Sequence, residues 1–181
     1  LSVGSLLALC NVLFVVVAKA LFDHALPGFL AYAVATAAAL IGGALCGWLN
    51  GVITVWGRVQ SFIVTLGMLL AARGLAYVIA GRETQSLLVS GPVTYHLPIA
   101  VAACSVILAY LILRYAPLGR YVYAVGGNLE ASRMSGVPVN RVRIVAFVIS
   151  GFCAGMAGIV SWLEVSTGSY LAGGGGELYA I

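Results

Sequence analysis

The chain has 181 residues, of which 62% are hydrophobic and only 8% charged, against roughly 25% charged residues in an average soluble domain. That composition excludes a soluble globular domain and makes this an integral membrane protein. The formal net charge of +4 reads as the loop excess of Arg and Lys that orients membrane proteins, so no nucleic-acid partner is needed to explain it.

Crossing ~30 Å of hydrocarbon takes about 20 apolar residues as a helix. Five segments meet or approach that length: 1–18, 28–49, 61–80, 97–113 and 144–163. The third carries only Arg73, and the fourth has Pro98 in its first turn, where a missing N–H costs little. Backbone groups in lipid must be satisfied internally, so the segments are helices, and nothing shows the ten-residue alternation of a membrane barrel. The predicted fold is an all-α polytopic transmembrane bundle, a single domain over 1–181. Because the chain begins at Leu1 and stops within "GGGGELYAI", it reads as a fragment.

Between the spans, short segments vote on sidedness. With 114–143 cytoplasmic, alternation also places 50–60 inside, and the inside then holds Arg58, Arg114, Arg120, Arg133, Arg141 and Arg143. The outside holds Lys19 and Arg82 beside Asp23, Glu83, Glu164 and Glu177. Six basic residues against two fix the orientation. Trp48, Tyr95, Tyr115 and Trp162 fall near predicted interfaces, and His24 and His96 in outer loops without metal-ligand spacing. The cysteines, Cys10, Cys46, Cys104 and Cys153, lie singly in apolar spans and read as buried small hydrophobes. Gly43, Gly47 and Gly51, like Gly151 and Gly155, recur every fourth residue, the spacing that lets membrane helices approach closely.

The polar stretch "YAVGGNLEASRMSGVPVNRVRI", 123–144, predicts a helix of about two turns with both ends marked. Asn128 suits the N-cap and Glu130 the positive N-terminal end. Gly136 supplies a left-handed C′ position, Pro138 blocks continuation, and Asn140 is placed to cap the next helix. A short rigid helix anchored on both sides by spans can act as a lever, although spacing alone favours a solvated connector.

This stretch resembles the cytoplasmic loop of ABC-importer permeases of the ribose/xylose/arabinose/galactose type. It keeps Gly126, Gly127, Asn128, Glu130, Ala131, Arg133, Ser135 and Gly136 of that family's loop and departs at Ser132, Met134 and Val137. "LSVGSLLAL" (1–9), "GRVQSFIVTLGMLLAARGL" (57–75) and "GGGGELYAI" (173–181) are similar to further family segments in the same order, with Tyr179 standing where the family often has Asp. The resemblance implies the permease subunit of a monosaccharide importer in the bacterial inner membrane. It implies partner ATPase subunits that hold ATP and magnesium, a periplasmic or lipid-anchored sugar-binding protein, and a second permease copy. In that reading Gly127, Asn128, Glu130, Ala131, Arg133, Ser135 and Gly136 belong to the ATPase-coupling helix.

The residues themselves agree with an external energy source. A P-loop needs Lys after a Gly-rich turn to reach the phosphates, whereas the only lysine, Lys19, lies in "VVVAKAL" and the run 173–176 precedes Glu177. No cofactor is expected in this chain, and its contacts besides those partners are with membrane lipid. An intramembrane enzyme lacks a paired acid–base set or a Ser–His pair here. A channel or ion-coupled carrier is the other rival, but carriers keep ionisable residues in the bundle, and Arg73 alone qualifies, ~10 Å from its helix's outer end. Arg73 either bonds neighbouring carbonyls or lines the path. Asn11, Ser61 and Thr65 are further path candidates, and in the importer reading Arg82, Glu83, Glu164 and Glu177 are available for docking a binding protein. Nucleosides, autoinducer-type compounds and amino acids are the alternative cargoes.

Overall fold

The computed structural model describes residues 2–23, 27–81, 85–86, 96–165 and 167–174. Long apolar stretches form the helices α1 (Val3–Asp23), α2 (Gly28–Trp56), α3 (Ser61–Ile79), α4 (His96–Tyr115) and α7 (Val139–Val165), with the shorter α5 (Pro117–Gly127) and α6 (Leu129–Met134) between α4 and α7. α1, α2, α3 and α7 are each long and apolar enough to cross a bilayer, and α4 makes a fifth together with α5, from which it is bent by 80°. Among the described residues the only ladder joins β1 (Gln85–Ser86) antiparallel to β2 (Thr167–Gly168). The expected all-α polytopic bundle is what the chain forms.

α1 is the central helix. Its Leu6, Leu9 and Val12 pack on Ala72, Ala76 and Ala80 and on Ala154 of α7. Its Cys10, Phe14, Val15 and Ala18 meet Ala35 and Ala39 of α2 and Trp162 of α7. Lipid tails are as apolar as leucine, so helices in a bilayer gain little from hydrophobic exclusion and depend on close packing and interhelical hydrogen bonds. Small residues supply that closeness. A Cβ built at Gly47 would lie 2.3 Å from the Phe147 carbonyl oxygen, and one at Gly151 would lie 2.2 Å from that of Gly43. The four-residue glycine spacing is therefore the seam between α2 and α7.

Several expectations need correction. The inner loop 50–60 is much shorter, because α2 continues to Trp56 and Ser61 opens α3; Arg58 in that tight turn takes a positive φ of 52°. Asn140 does not cap α7, which already begins at Val139. Trp162, near the end of α7, does not face outward: it is 3% exposed and packs, tilted, against Phe14 at 4.6 Å between ring centroids and Tyr32 at 5.8 Å. Cys10 is buried as expected, but Cys104 and Cys153 face outward, because α4 touches the bundle only lightly and α7 keeps one face free. His24 and Tyr95 lie outside the described residues, and His96 opens α4.

The chain after α7 turns back along α1. Gly168 lies against Val15, Tyr170 stacks edge-on with Tyr77 at 5.1 Å, and the backbone of Gly173 reaches Gly4. From Val15 to Gly4 is ~16 Å at the helical rise of about 1.5 Å per residue. Segment 167–174 thus runs back alongside α1 as non-helical backbone, with Gly168 buried and Leu171 exposed; hydrocarbon depth tolerates such backbone only when protein buries it or a polar cavity faces it.

Candidate functional site

The polar passage between α4 and α7 builds a compact protrusion at the end of the bundle that carries most of the arginines. Pro117 opens α5 at a position where its missing N–H is no loss. Gly119 then lets α5 fold back tightly on α4, since a Cβ there would sit 2.0 Å from the Leu113 carbonyl oxygen. The sequence reading treated 114–143 as one loop and missed α5; the glycines at its end and Arg120 near its start hide an apolar face.

At α6 the expected capping is realised on both sides. The Asn128 side-chain oxygen accepts from the backbone N–H of Glu130 and Ala131, each at 3.0 Å. Glu130 stands in the first turn and Arg133 in the last, so both charges complement the helix dipole. Gly136, at φ 78°, donates its N–H to the Arg133 carbonyl, and Val137 donates to that of Ser132. Those two bonds are the Schellman closure that glycine permits at C′. The Ser132 hydroxyl donates back to the Asn128 carbonyl at 2.8 Å, and that of Ser135 to the Ala131 carbonyl at 2.9 Å. The N–H groups of Glu130 and Ala131 and the carbonyls of Ala131, Ser132 and Arg133 are thus all bonded locally, which makes α6 a capped knob rather than an open loop.

Its surface is polar with one apolar tip. Ser132 is the residue of α6 that faces inward, whereas Glu130, Ala131 and Arg133 are exposed and Met134 is 92% exposed. Sequence reasoning passed over Met134 as a mild departure; a fully presented, adaptable thioether is a natural anchor for a partner groove. Beside it Arg133 and Arg141 flank a groove of about 320 Å³ lined also by Val137, Pro138 and Asn140. The face offered at this end therefore combines an outward methionine with a groove that carries two guanidinium groups.

The other candidates fall elsewhere and are not brought together with α6. Asn11 is 1% exposed in α1, and its side-chain oxygen has no hydrogen-bond donor among the described residues. Ser61 and Thr65 are half-buried on the first turns of α3, and the Thr65 hydroxyl is spent on the Phe62 carbonyl of its own helix. Arg73 is half-buried on α3. Two polar residues that the sequence reading missed, Asn50 and Thr54, are each 2% exposed one helical turn apart on α2. Asn50 donates to the Ser2 hydroxyl at 3.4 Å, tying α2 to the start of α1 near the place where 167–174 arrives. Glu164 is exposed at the far end of α7, while Arg82, Glu83 and Glu177 lie outside the described residues.

Comparison with known proteins places this architecture. The family model described as "Branched-chain amino acid transport system / permease component" matches residues 1–181. The ribose import permease protein RbsC of Escherichia coli (strain K12) is 37% identical over 193 aligned residues, covering 100% of this chain and 58% of the relative. The D-allose transport system permease protein AlsC of the same strain is 34% identical, covering 100% of the chain and 56% of the relative. The autoinducer 2 import system permease protein LsrC of Salmonella choleraesuis (strain SC-B67) is 34% identical, covering 99% and 52%. The chain spans less than two thirds of the length of these curated relatives, and no solved structure matches it. A multi-pass membrane bundle matched end to end by one family model belongs to that family: the chain is a member of the permease components of the branched-chain amino acid transport system type.

Proposed function

We propose that this chain is the membrane-spanning part of an ATP-driven importer for a monosaccharide, with residues 1–181 forming one permease domain in the bacterial inner membrane. The observation that carries the reading is α6: six residues capped at both ends, with Met134 presented outward and Arg133 and Arg141 lining a groove at its C-terminal end. A partner ATPase closing on ATP pushes this knob, and the push enters the bundle through α5 and α7. Residues 114–143 then face the cytoplasm, in line with six basic residues against two by loop count. ATP and magnesium reside on the ATPase subunits. Two permease copies enclose the route, and a sugar-binding protein docks on the opposite end, where Glu164 is exposed and Arg82, Glu83 and Glu177 belong by alternation.

Cargo is assigned from the relatives' names, which are those of ribose and allose permeases at 37% and 34% identity. The non-helical segment 167–174 supports a polyhydroxylated cargo. Unwound backbone at membrane depth offers carbonyl and N–H groups to a neutral, hydroxyl-rich solute without placing a charge in the bilayer. Asn11, Asn50 and Thr54 add buried side-chain polarity, and Ser61, Thr65 and Arg73 complete the candidate path. The family description names branched-chain amino acids, which stands as the second reading of the cargo.

The test substitutes Gly136→Val and, separately, Glu130→Lys in the full-length permease, and follows membrane level, ATPase co-purification and labelled ribose uptake. The expected result is normal membrane level with loss of both association and uptake. Intact association and uptake in the Gly136→Val variant would remove α6 from the coupling role. Uptake of leucine in place of every sugar tested would overturn the cargo.

A further inference from the structure

Where α4 meets α5, the helices bend by 80° and leave a notch of about 370 Å³ lined by Tyr110, Leu113, Arg114, Arg120 and Tyr123. The transport reading uses none of these side chains. Placing the apolar stretch 97–113 across the bilayer lays α5, bent by 80° from α4, along the membrane surface and puts the notch at headgroup height. Its charge is one-sided: between Glu83 and Glu130 there is no Asp or Glu, while Arg114 and Arg120 stand 6 positions apart by number.

Arg114 is held in place before any ligand arrives. Its guanidinium donates a hydrogen bond to the Tyr110 hydroxyl and lies 5.6 Å from the Tyr110 ring centroid and 5.8 Å from that of Tyr115. One of its five donors is thereby used and the rest of the planar fork stays open, a shape that fits phosphate oxygens in pairs. Arg120 is exposed on α5 and brings the second charge. Tyr115 and Tyr123 are 72% and 68% exposed, as suits aromatic rings at a membrane interface. From Leu113 in the notch, Val106 and Ile99 follow at seven-residue spacing on the same face of α4 and are exposed, an apolar wall that leads away from the polar mouth. A small inorganic anion has no use for that wall, whereas acyl chains do.

We propose that this notch is a headgroup site for an anionic phospholipid, its phosphate held between Arg114 and Arg120 and its acyl chains laid along α4. Basic pockets of this kind beside membrane helices select anionic headgroups. The site rests on the membrane placement of α4 and is independent of cargo. Occupied, it fixes the height of α5 at the surface and so the base on which α6 stands.

The experiment uses the full-length permease purified in a neutral maltoside detergent and titrated with dioleoyl phosphatidylglycerol, dioleoyl phosphatidylcholine or inorganic phosphate, with retained lipid read by native mass spectrometry. The expected result is preferential retention of phosphatidylglycerol, weakened about fivefold by Arg120→Gln, the size of one surface arginine's contribution, and restored in large part by Arg120→Lys. Arg58→Gln changes the net charge equally at the same end and is expected to leave retention unchanged. Equal retention of both lipids overturns the site, as does a loss in Arg58→Gln that matches Arg120→Gln. Displacement of phosphatidylglycerol by inorganic phosphate alone assigns the arginines to a free anion and also overturns the lipid.

Discussion

Asn128 and Gly136 close α6 by different chemistry, one with a side-chain oxygen and one with a left-handed backbone. Replacing Asn128 with Ala removes the acceptor for two N–H groups and costs about 1 kcal/mol of helix stability. Amide hydrogen exchange at Glu130 and Ala131 is expected to accelerate several-fold, with exchange in α2 unchanged. Both caps were legible in the sequence because capping is a contact between residues a few positions apart. Gly119 was not, since its need arises only when α5 folds on α4 and brings the Leu113 carbonyl to within 2.0 Å of a would-be Cβ. Gly119→Ala is expected to displace α5 and lower the thermal unfolding temperature in detergent. Gly126→Ala, which meets nothing within 4 Å, is expected to leave it unchanged.

For whole helices, hydropathy located every span, because about 20 apolar residues in a row have few alternatives in a chain of this composition. It could not place their ends: α2 and α7 run beyond the apolar segments of 28–49 and 144–163 to Trp56 and back to Val139. A helix continues past the hydrocarbon as long as its backbone bonds continue, and hydropathy does not report that. The glycine seam was legible as spacing but not as a partner choice. Gly47→Leu forces its side chain into the Phe147 backbone and is expected to cost more than the ~4 kcal/mol that marks an exceptional substitution. Loss of the monodisperse peak in detergent chromatography checks it. Gly74→Ala, with nothing within 4 Å, is expected to be neutral or stabilising by up to about 1 kcal/mol through helix propensity.

Across the whole molecule, the two ends differ in kind. One end bears Arg58, Arg114, Arg120, Arg133 and Arg141 on exposed positions around the α5–α6 protrusion; from the other, 167–174 returns along α1 toward Gly4. The first feature was readable from charge and capping signals. The second was not, since a Gly- and Ser-containing tail after a span reads as a loop until tertiary contacts with Val15, Tyr77 and Gly4 fix it. Together they set a capped, basic protrusion at one end and non-helical backbone alongside α1. Everything then depends on which side of the membrane α6 occupies. The direct measurement is labelling of Met134→Cys, in a full-length chain otherwise free of cysteine, with a membrane-impermeant maleimide. The account predicts labelling in inside-out vesicles and none in intact spheroplasts; labelling in intact spheroplasts, with none in inside-out vesicles, would contradict it.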